Sequence, residues 1–276
     1  MRYDIQRTLA HFERGGSLKQ AAYFAGCEFL TRVWNPLIKN SYSGVQEDLI
    51  IDELMGHPAY GTYLDIGCMS PRIGSNTYRF YRKGWAGICV DANRKCIEEF
   101  MKVRPRDASW HCGVGACDAE MEFFHFFPCS LSTFDPDRRD EILGEGFELV
   151  STEGIKITTI KNLLGMFPQV VSDDTNCFFS VDTEGYDFGV LVGNDWNRFR
   201  PKVVCVEEDS ELVYEFMVDR GYKLARRTFM DSFYVRIGPG VAETVTHLRL
   251  DGMKMNVEKA KRVSDLDAAV DTANRD

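Results

Sequence analysis

Nine cysteines are present, yet no two stand as Cys-x-x-Cys, so the chain lacks the spacing of a zinc ribbon or a dithiol redox motif. It also lacks a basic surplus. The net charge of −9 argues against a nucleic-acid partner, because gripping phosphates takes a basic face. No apolar stretch approaches the roughly 18 residues that mark a membrane-crossing helix. The first residues carry Asp4, Arg7 and Glu13, where a secretory signal would be basic and then apolar. The five histidines (His11, His57, His111, His125 and His247) form no metal-binding pair; His57 and His111 fall nearest the predicted cleft. Internal repeats and low-complexity tracts are missing too. The odd cysteine total, with Cys89, Cys177 and Cys205 inside apolar runs, predicts reduced thiols acting as small hydrophobes. These absences together predict a soluble, cytoplasmic protein with no membrane span.

What is there is ordinary globular material. With 276 residues, 44% hydrophobic and 27% charged, the chain suffices for one large α/β domain with decoration. Residues 1–50 read as an N-terminal helical extension. Ser17 and Gln20 match a capping box, and Ala21, Ala22, Ala25, Phe29, Leu30 and Val33 recur at helical spacing. Residues 51–240 carry the main domain. In the tail, 241–276, Val257, Ala260, Val263 and Leu266 suggest a partly exposed helix, which leaves a homo-oligomer open.

Within the main domain, short apolar runs alternate with helical patterns. Thr62 to Ile66, Gly87 to Val90 and Ser109 to Val114 read as strands. Ser75 to Lys83 and the stripe Ile97, Phe100, Met101 read as helices between them. Glu120 to Phe127 adds a strand, and Asp135 to Glu148 reads as a charged, exposed insertion. Ile155 to Ile160 is strand-like, and Leu163 and Leu164 begin a short helix that Gly165 ends. Phe178 to Val181 and Val203 to Val206 are buried strands, with Val213, Phe216 and Met217 lining a helix after them. Tyr222 to Arg226 and Ser232 to Arg236 form a terminal hairpin. The rhythm predicts a mostly parallel sheet with an antiparallel C-terminal hairpin.

The first strand ends in Asp65, Ile66 and Gly67, the second in Asp91, 24 positions after Gly67. In open α/β sheets ligands bind beyond the carboxyl ends of the strands, and an acid about 20 residues past a glycine turn holds a ribose diol. Gly67 and Asp91 therefore predict a nucleoside cofactor, with Ala92 beside it and Gly113 and Val114 walling its adenine. A dinucleotide would need Gly-x-Gly-x-x-Gly, but Met69, Ser70 and Pro71 stand where a second glycine should be. S-adenosylmethionine has no phosphate and tolerates the bulkier turn. Asp65 would meet its ammonium and Asn76, at the next helix start, its carboxylate. The fourth strand runs into Asp182, Thr183, Glu184, Gly185, Tyr186 and Asp187, the fifth into Glu207, Glu208 and Asp209. Carboxylates clustered at strand ends are costly unless they face a cation, a metal or substrate hydroxyls. The alternative is that they only complement helix dipoles.

Tyr63-Leu64-Asp65-Ile66-Gly67, Ser75-Asn76-Thr77-Tyr78, Phe80 to Trp85, Gly87-Ile88 leading to Asp91, Val103-Arg104-Pro105-Arg106-Asp107, Asp182-Thr183-Glu184-Gly185, Asn194-Asp195-Trp196 and Arg200-Pro201-Lys202-Val203 together resemble the FkbM-type methyltransferases over residues 42–235. The resemblance implies a Rossmann-like methyltransferase fold, S-adenosylmethionine as methyl donor, and O-methylation of a sugar or other small hydroxylated substrate. The family's Ser-Gln-x-Gly-Glu-Asp entry segment is altered here to Ser43-Gly44-Val45-Gln46-Glu47-Asp48, with Gln46 as the implied cofactor contact.

A sugar hydroxyl is weakly acidic, so its proton must leave during attack. Asp182 and Glu184 are the candidate bases, and Glu207 a partner for a substrate hydroxyl or a metal. A divalent cation such as Mg²⁺ would suit these oxygens, although no spacing identifies a metal ligand set. Lys102, Arg104 and Arg106 with Arg79, Arg82 and Lys83 could form a local basic patch for nucleic-acid methylation, but against the net charge of −9 they read as a solvated face or a grip on one substrate phosphate. Two rivals remain: an NAD-linked sugar oxidoreductase, and a non-catalytic adenine-nucleotide binding module.

Overall fold

The computed structural model describes residues 36–37, 39–168 and 176–238. The capping box at Ser17, the stripe from Ala21 to Val33, His11, His247 and the tail helix lie outside the described residues.

Helix α1 (Glu47–Met55) leads into β1 (Thr62–Ile66), α2 (Tyr78–Arg82), β2 (Ala86–Asp91), α3 (Arg94–Val103) and β3 (Ala108–His111). A second layer follows, made of β4 (Gly113–Val114), β5 (Ala119–Phe127), α4 (Pro136–Gly144) and β6 (Glu148–Thr158). The chain then returns through α5 (Ile160–Met166), β7 (Cys177–Val181), α6 (Asp187–Val192), β8 (Val203–Val206), α7 (Glu211–Asp219), β9 (Tyr222–Arg227) and β10 (Ser232–Arg236). Seven strands form one sheet in the order β3-β2-β1-β7-β8-β10-β9, and three form another, β4-β6-β5. In the large sheet β3, β2, β1, β7 and β8 are parallel, and β10 is antiparallel to both β8 and β9. The mostly parallel sheet with its antiparallel hairpin is thus present as expected.

Alternation along these strands feeds two cores. Leu64, Ile66, Ile88, Val90, Phe179, Val181, Val204 and Val206 pack on one face. Tyr63, Cys89, Phe178, Val203 and Cys205 pack on the other, against Ile51, Phe80, Ile97 and Phe100. Burial on both faces is why the strands read as continuous apolar runs. Cys89, Cys177 and Cys205 are buried and form no disulfide.

Several elements differ from expectation. The third strand stops at His111, because its partner β2 ends at Asp91; past that point the chain has no neighbour in the large sheet. Gly113 and Val114 pair with Ile157 and Thr158 instead. Helix α2 begins only at Tyr78, because the Ser75 hydroxyl accepts the Thr77 and Tyr78 N–H groups and holds a turn before it. Gly165 does not end α5, which runs on to Met166; a terminating glycine takes a left-handed φ, and Gly165 does not. Met101 is 58% exposed, leaving Ile97 and Phe100 as the buried stripe of α3. The insertion folds as α4, capped by Asp135 on the Asp137 N–H, and buries Ile142 completely. Of the basic group, Arg82, Lys102 and Arg106 are exposed as expected of a solvated face, whereas Arg104 is fully buried and Arg79 and Lys83 are bound to Asp52.

Candidate active site

Strand register assembles the site. Ile66 pairs with Val90 on one side and Val181 on the other, and Val181 pairs with Val206. The residues that follow these four (Gly67, Asp91, Asp182 and Glu207) therefore leave the sheet side by side at one edge. Three strand spacings separate Asp91 from Glu207, roughly 14 Å.

At the β1 and β2 end, Gly67 has φ +81° and its N–H donates to the Val90 carbonyl. A Cβ there would meet the Asp182 carbonyl oxygen at 1.7 Å. Its glycine is demanded first by a neighbouring strand, and only then by any ligand. Asp91 accepts from the Met69 N–H at 2.8 Å and the Asn93 N–H at 2.7 Å. Burial pushes its carboxyl up to about 6 against those bonds. One step back in β1, Asp65 is 5% exposed and accepts the Thr77 hydroxyl at 2.5 Å. Burial raises it as well, to about 6. That hydroxyl is the only protein hydrogen bond to the Asp65 carboxylate among the described residues. Asn76 sits in the β1–α2 loop, not on the helix, and donates to the Ser180 hydroxyl at 3.0 Å. Gln46 caps α1 with φ +72°; its carbonyl takes the Leu49 and Ile50 N–H groups. The same turn is organised by Asp48, which accepts from Ser41, Ser43 and the Tyr42 N–H.

At the β7 and β8 end the charges crowd. One carboxylate oxygen each from Asp182, Glu184 and Glu207 lie within 4.8 Å of one another. Among the described residues no other trio of histidine, cysteine or carboxylate groups is so placed. Asp182 keeps an exposed face, and its carboxyl is raised above the usual carboxylate range by crowding that strips part of its solvent and by repulsion from Glu207 and Asp187. The Asp182 and Glu207 carboxyls share a hydrogen bond. Burial and neighbouring acids raise Glu184 and Glu207 to about 8. Glu184 also has φ +52°, a conformation that costs a non-glycine residue about 1–2 kcal/mol. Its carbonyl accepts the Thr133 hydroxyl at 2.8 Å, and its carboxylate lies 3.8 Å from Arg138 on α4. Asp187, fully buried, ties the loop together by accepting the Thr183 and Glu208 N–H groups.

The other predicted contacts lie beside the end of β2. Gly113 and Val114 belong to the small sheet, where a Cβ on Gly113 would strike Ile157 and Phe134. Ala92 is buried beside Phe123, Phe134, Ile155 and Ile157. His57 is paired with Asp52, and His111 bonds the Ala92 carbonyl at 2.9 Å. Other residues were missed. Glu47 on α1 and Asp231 in the β9–β10 turn are both buried and hydrogen-bonded to each other, and Asp231 is raised to about 8 by burial and by the Glu47 charge. No sequence signal joins two acids so far apart. Arg138 was hidden in a segment read as solvated. Its flag was the Asp135-Pro136 helix start.

A parallel sheet of this order, with a glycine turn after β1, an acid ending β2 and acids after β7 and β8, defines a Rossmann-like methyltransferase. The family model for the methyltransferase FkbM domain matches residues 65–224, and the chain belongs to that family. No curated protein and no solved structure matches it.

Proposed function

We propose that the chain is an S-adenosylmethionine-dependent O-methyltransferase whose acceptor is a hydroxyl of a small, carbohydrate-type molecule. The observation that carries this reading is the register alignment of Gly67, Asp91, Asp182 and Glu207 along one sheet edge. The donor set fits the cofactor. Asp65 offers a buried carboxylate with one protein partner to an ammonium, and Asp91 offers carboxylate lone pairs to a ribose diol. The acids beyond β7 favour a positively charged centre.

When bound, the cofactor supplies an electrophilic methyl group. The chain's own residues supply the rest. Glu207 and Glu184, raised toward neutrality, are matched to proton transfer near physiological pH. Asp182, the third candidate base, shares a hydrogen bond with Glu207. The acceptor hydroxyl would give its proton to one of these carboxylates, and the bound cofactor would supply the methyl group by breaking its carbon–sulfur bond, leaving as the neutral thioether. Holding the oxygen in line contributes several kcal/mol. Arg138 and the α4 segment border the acceptor side and are positioned to select it.

A second reading is carried by the trio of oxygens: Asp182, Glu184 and Glu207 would hold a divalent cation such as Mg²⁺, which lowers the pKa of a bound hydroxyl. A cytoplasmic location is supported by the eight cysteines that form no disulfide among the described residues, and among those residues no helix is long and apolar enough to cross a membrane.

The test is mass spectrometry of a glycan and metabolite extract incubated with the protein and isotopically labelled S-adenosylmethionine. A labelled methyl ether on a saccharide supports the proposal; a labelled amine or thiol product, or none, overturns it. Calorimetric titration with S-adenosylhomocysteine and with NAD separates it from an oxidoreductase. Binding without turnover would leave a nucleoside-binding module.

A further inference from the structure

Arg104 has no exposed surface. A guanidinium is costly to bury unless every donor is met, and here the partners come from four separate stretches of chain. Nε donates to Asp107 at 2.7 Å. Nη2 donates to the Tyr63 hydroxyl at 2.8 Å and to the Cys89 sulfur at 3.7 Å. Nη1 reaches the loop between β1 and α2, donating to the Thr77 hydroxyl at 3.0 Å, the Ser75 hydroxyl at 3.3 Å and the Pro71 carbonyl at 3.5 Å. The rings of Phe100 and Tyr81 lie 4.8 and 5.0 Å from its central carbon. Asp107, Tyr63 and Cys89 meet Nε and Nη2, so the Nη1 protons are met only by the loop.

The direction of those bonds matters. A guanidinium only donates, so the Thr77 oxygen must accept from Arg104. The Thr77 proton is then committed to its other close partner, the Asp65 carboxylate at 2.5 Å. Without the cation, the hydroxyl would be free to turn toward Ser75, 3.2 Å away. The Ser75 N–H in turn donates to the Tyr42 carbonyl at 3.0 Å, which joins the loop to the turn carrying Gln46.

We propose that Arg104 is a positioning residue for the methyl donor: by fixing the Thr77 hydroxyl it sets the Asp65 carboxylate that receives the donor's ammonium. The proposal rests on reading Asp65 as the ammonium site. Arg104 touches no substrate and acts only through Thr77 and the loop.

Thr77→Val keeps the side-chain shape and removes the hydroxyl, Thr77→Ser keeps the hydroxyl, and Arg104→Lys keeps the charge while losing the fork. Each full-length variant and the wild type would be titrated with S-adenosylhomocysteine by calorimetry, with thermal unfolding recorded alongside. Losing a hydrogen bond to a charged group should weaken binding about tenfold or more in Thr77→Val and in Arg104→Lys. Thr77→Ser should return to within about twofold of the wild type. Folded Thr77→Val and Arg104→Lys proteins that bind as tightly as the wild type would overturn the proposal. If Arg104→Lys does not fold, the contrast between Val and Ser at position 77 decides: equal affinities refute, rescue by serine supports. A wild type that binds no S-adenosylhomocysteine refutes the ammonium site itself and this proposal with it. That outcome is recognisable because it appears before any substitution.

Discussion

Gly67 and Asp182 meet backbone to backbone: a Cβ on Gly67 would sit 1.7 Å from the Asp182 carbonyl oxygen and 2.7 Å from its carbonyl carbon. The turn leaving β1 and the acid leaving β7 are therefore one packed unit, and neither strand end can shift without the other. Backbone on backbone has no flexible side chain to yield. Gly67→Ala adds this collision to a φ of +81°. Together these should cost about 3 kcal/mol or more. Thermal unfolding should show the loss, and methyl transfer should fail even below the lowered melting temperature. A variant with normal stability and activity would mean that the two strand ends are not in contact.

Asp182→Asn separates shape from acid–base chemistry. An asparagine keeps the size and polarity of the side chain beside Glu207 but has no group that can take up a proton. Folding and S-adenosylhomocysteine binding should survive. Turnover should fall by at least about a hundredfold, the usual worth of a positioned proton acceptor. Full activity would remove Asp182 from the chemistry and leave Glu184 and Glu207 as the candidates.

The raised carboxyls also make stability depend on pH with a defined sign. Glu184 and Glu207 start from an ordinary value of 4.5 and stand at about 8 in the folded protein. The folded state then holds protons more tightly than the unfolded one. Stability from this source is complete below pH 4.5 and is lost as pH rises through about 8. In chelator-treated protein the melting temperature should fall across that window, and Glu207→Gln should flatten the fall. Methyl transfer should rise across the same window as the carboxylates ionise. Adding Mg²⁺ tests the cation reading, because an ion in the trio would cancel the repulsion and remove the slope. A slope indifferent to Mg²⁺ would argue for proton transfer by the carboxylates alone.

What could be read from the sequence follows from how local each feature is. β1, β2, β7 and β8 were legible because strands buried on both faces spell continuous apolar runs; Asp91 closes β2, and Gly67, Asp182 and Glu207 lie one residue beyond their strands. The break between His111 and Gly113 was not legible, since it depends on where β2 ends, some twenty residues earlier in the chain. Arg104 was misread for a similar reason. A cation among Lys102 and Arg106 looks solvated, and only folding brings Tyr63, Ser75, Thr77 and Asp107 around it. Glu47 and Asp231 form a buried pair across most of the domain. Neither residue carries a mark of the other.

Asp91 has two tasks, and one experiment can part them. Its carboxylate holds the Met69 and Asn93 N–H groups, so Asp91→Ala would loosen both loops whether or not a ribose binds there. A weaker affinity alone would prove little. The informative comparison pairs that variant with S-adenosylhomocysteine lacking its 2′- and 3′-hydroxyls. If Asp91 grips the diol, deleting the hydroxyls should weaken binding to the wild type about tenfold or more. Asp91→Ala should bind the two ligands almost equally, because the interaction is already gone and the two losses are not additive. Equal penalties in both proteins would assign Asp91 to loop anchoring only, and the ribose would have to be held elsewhere.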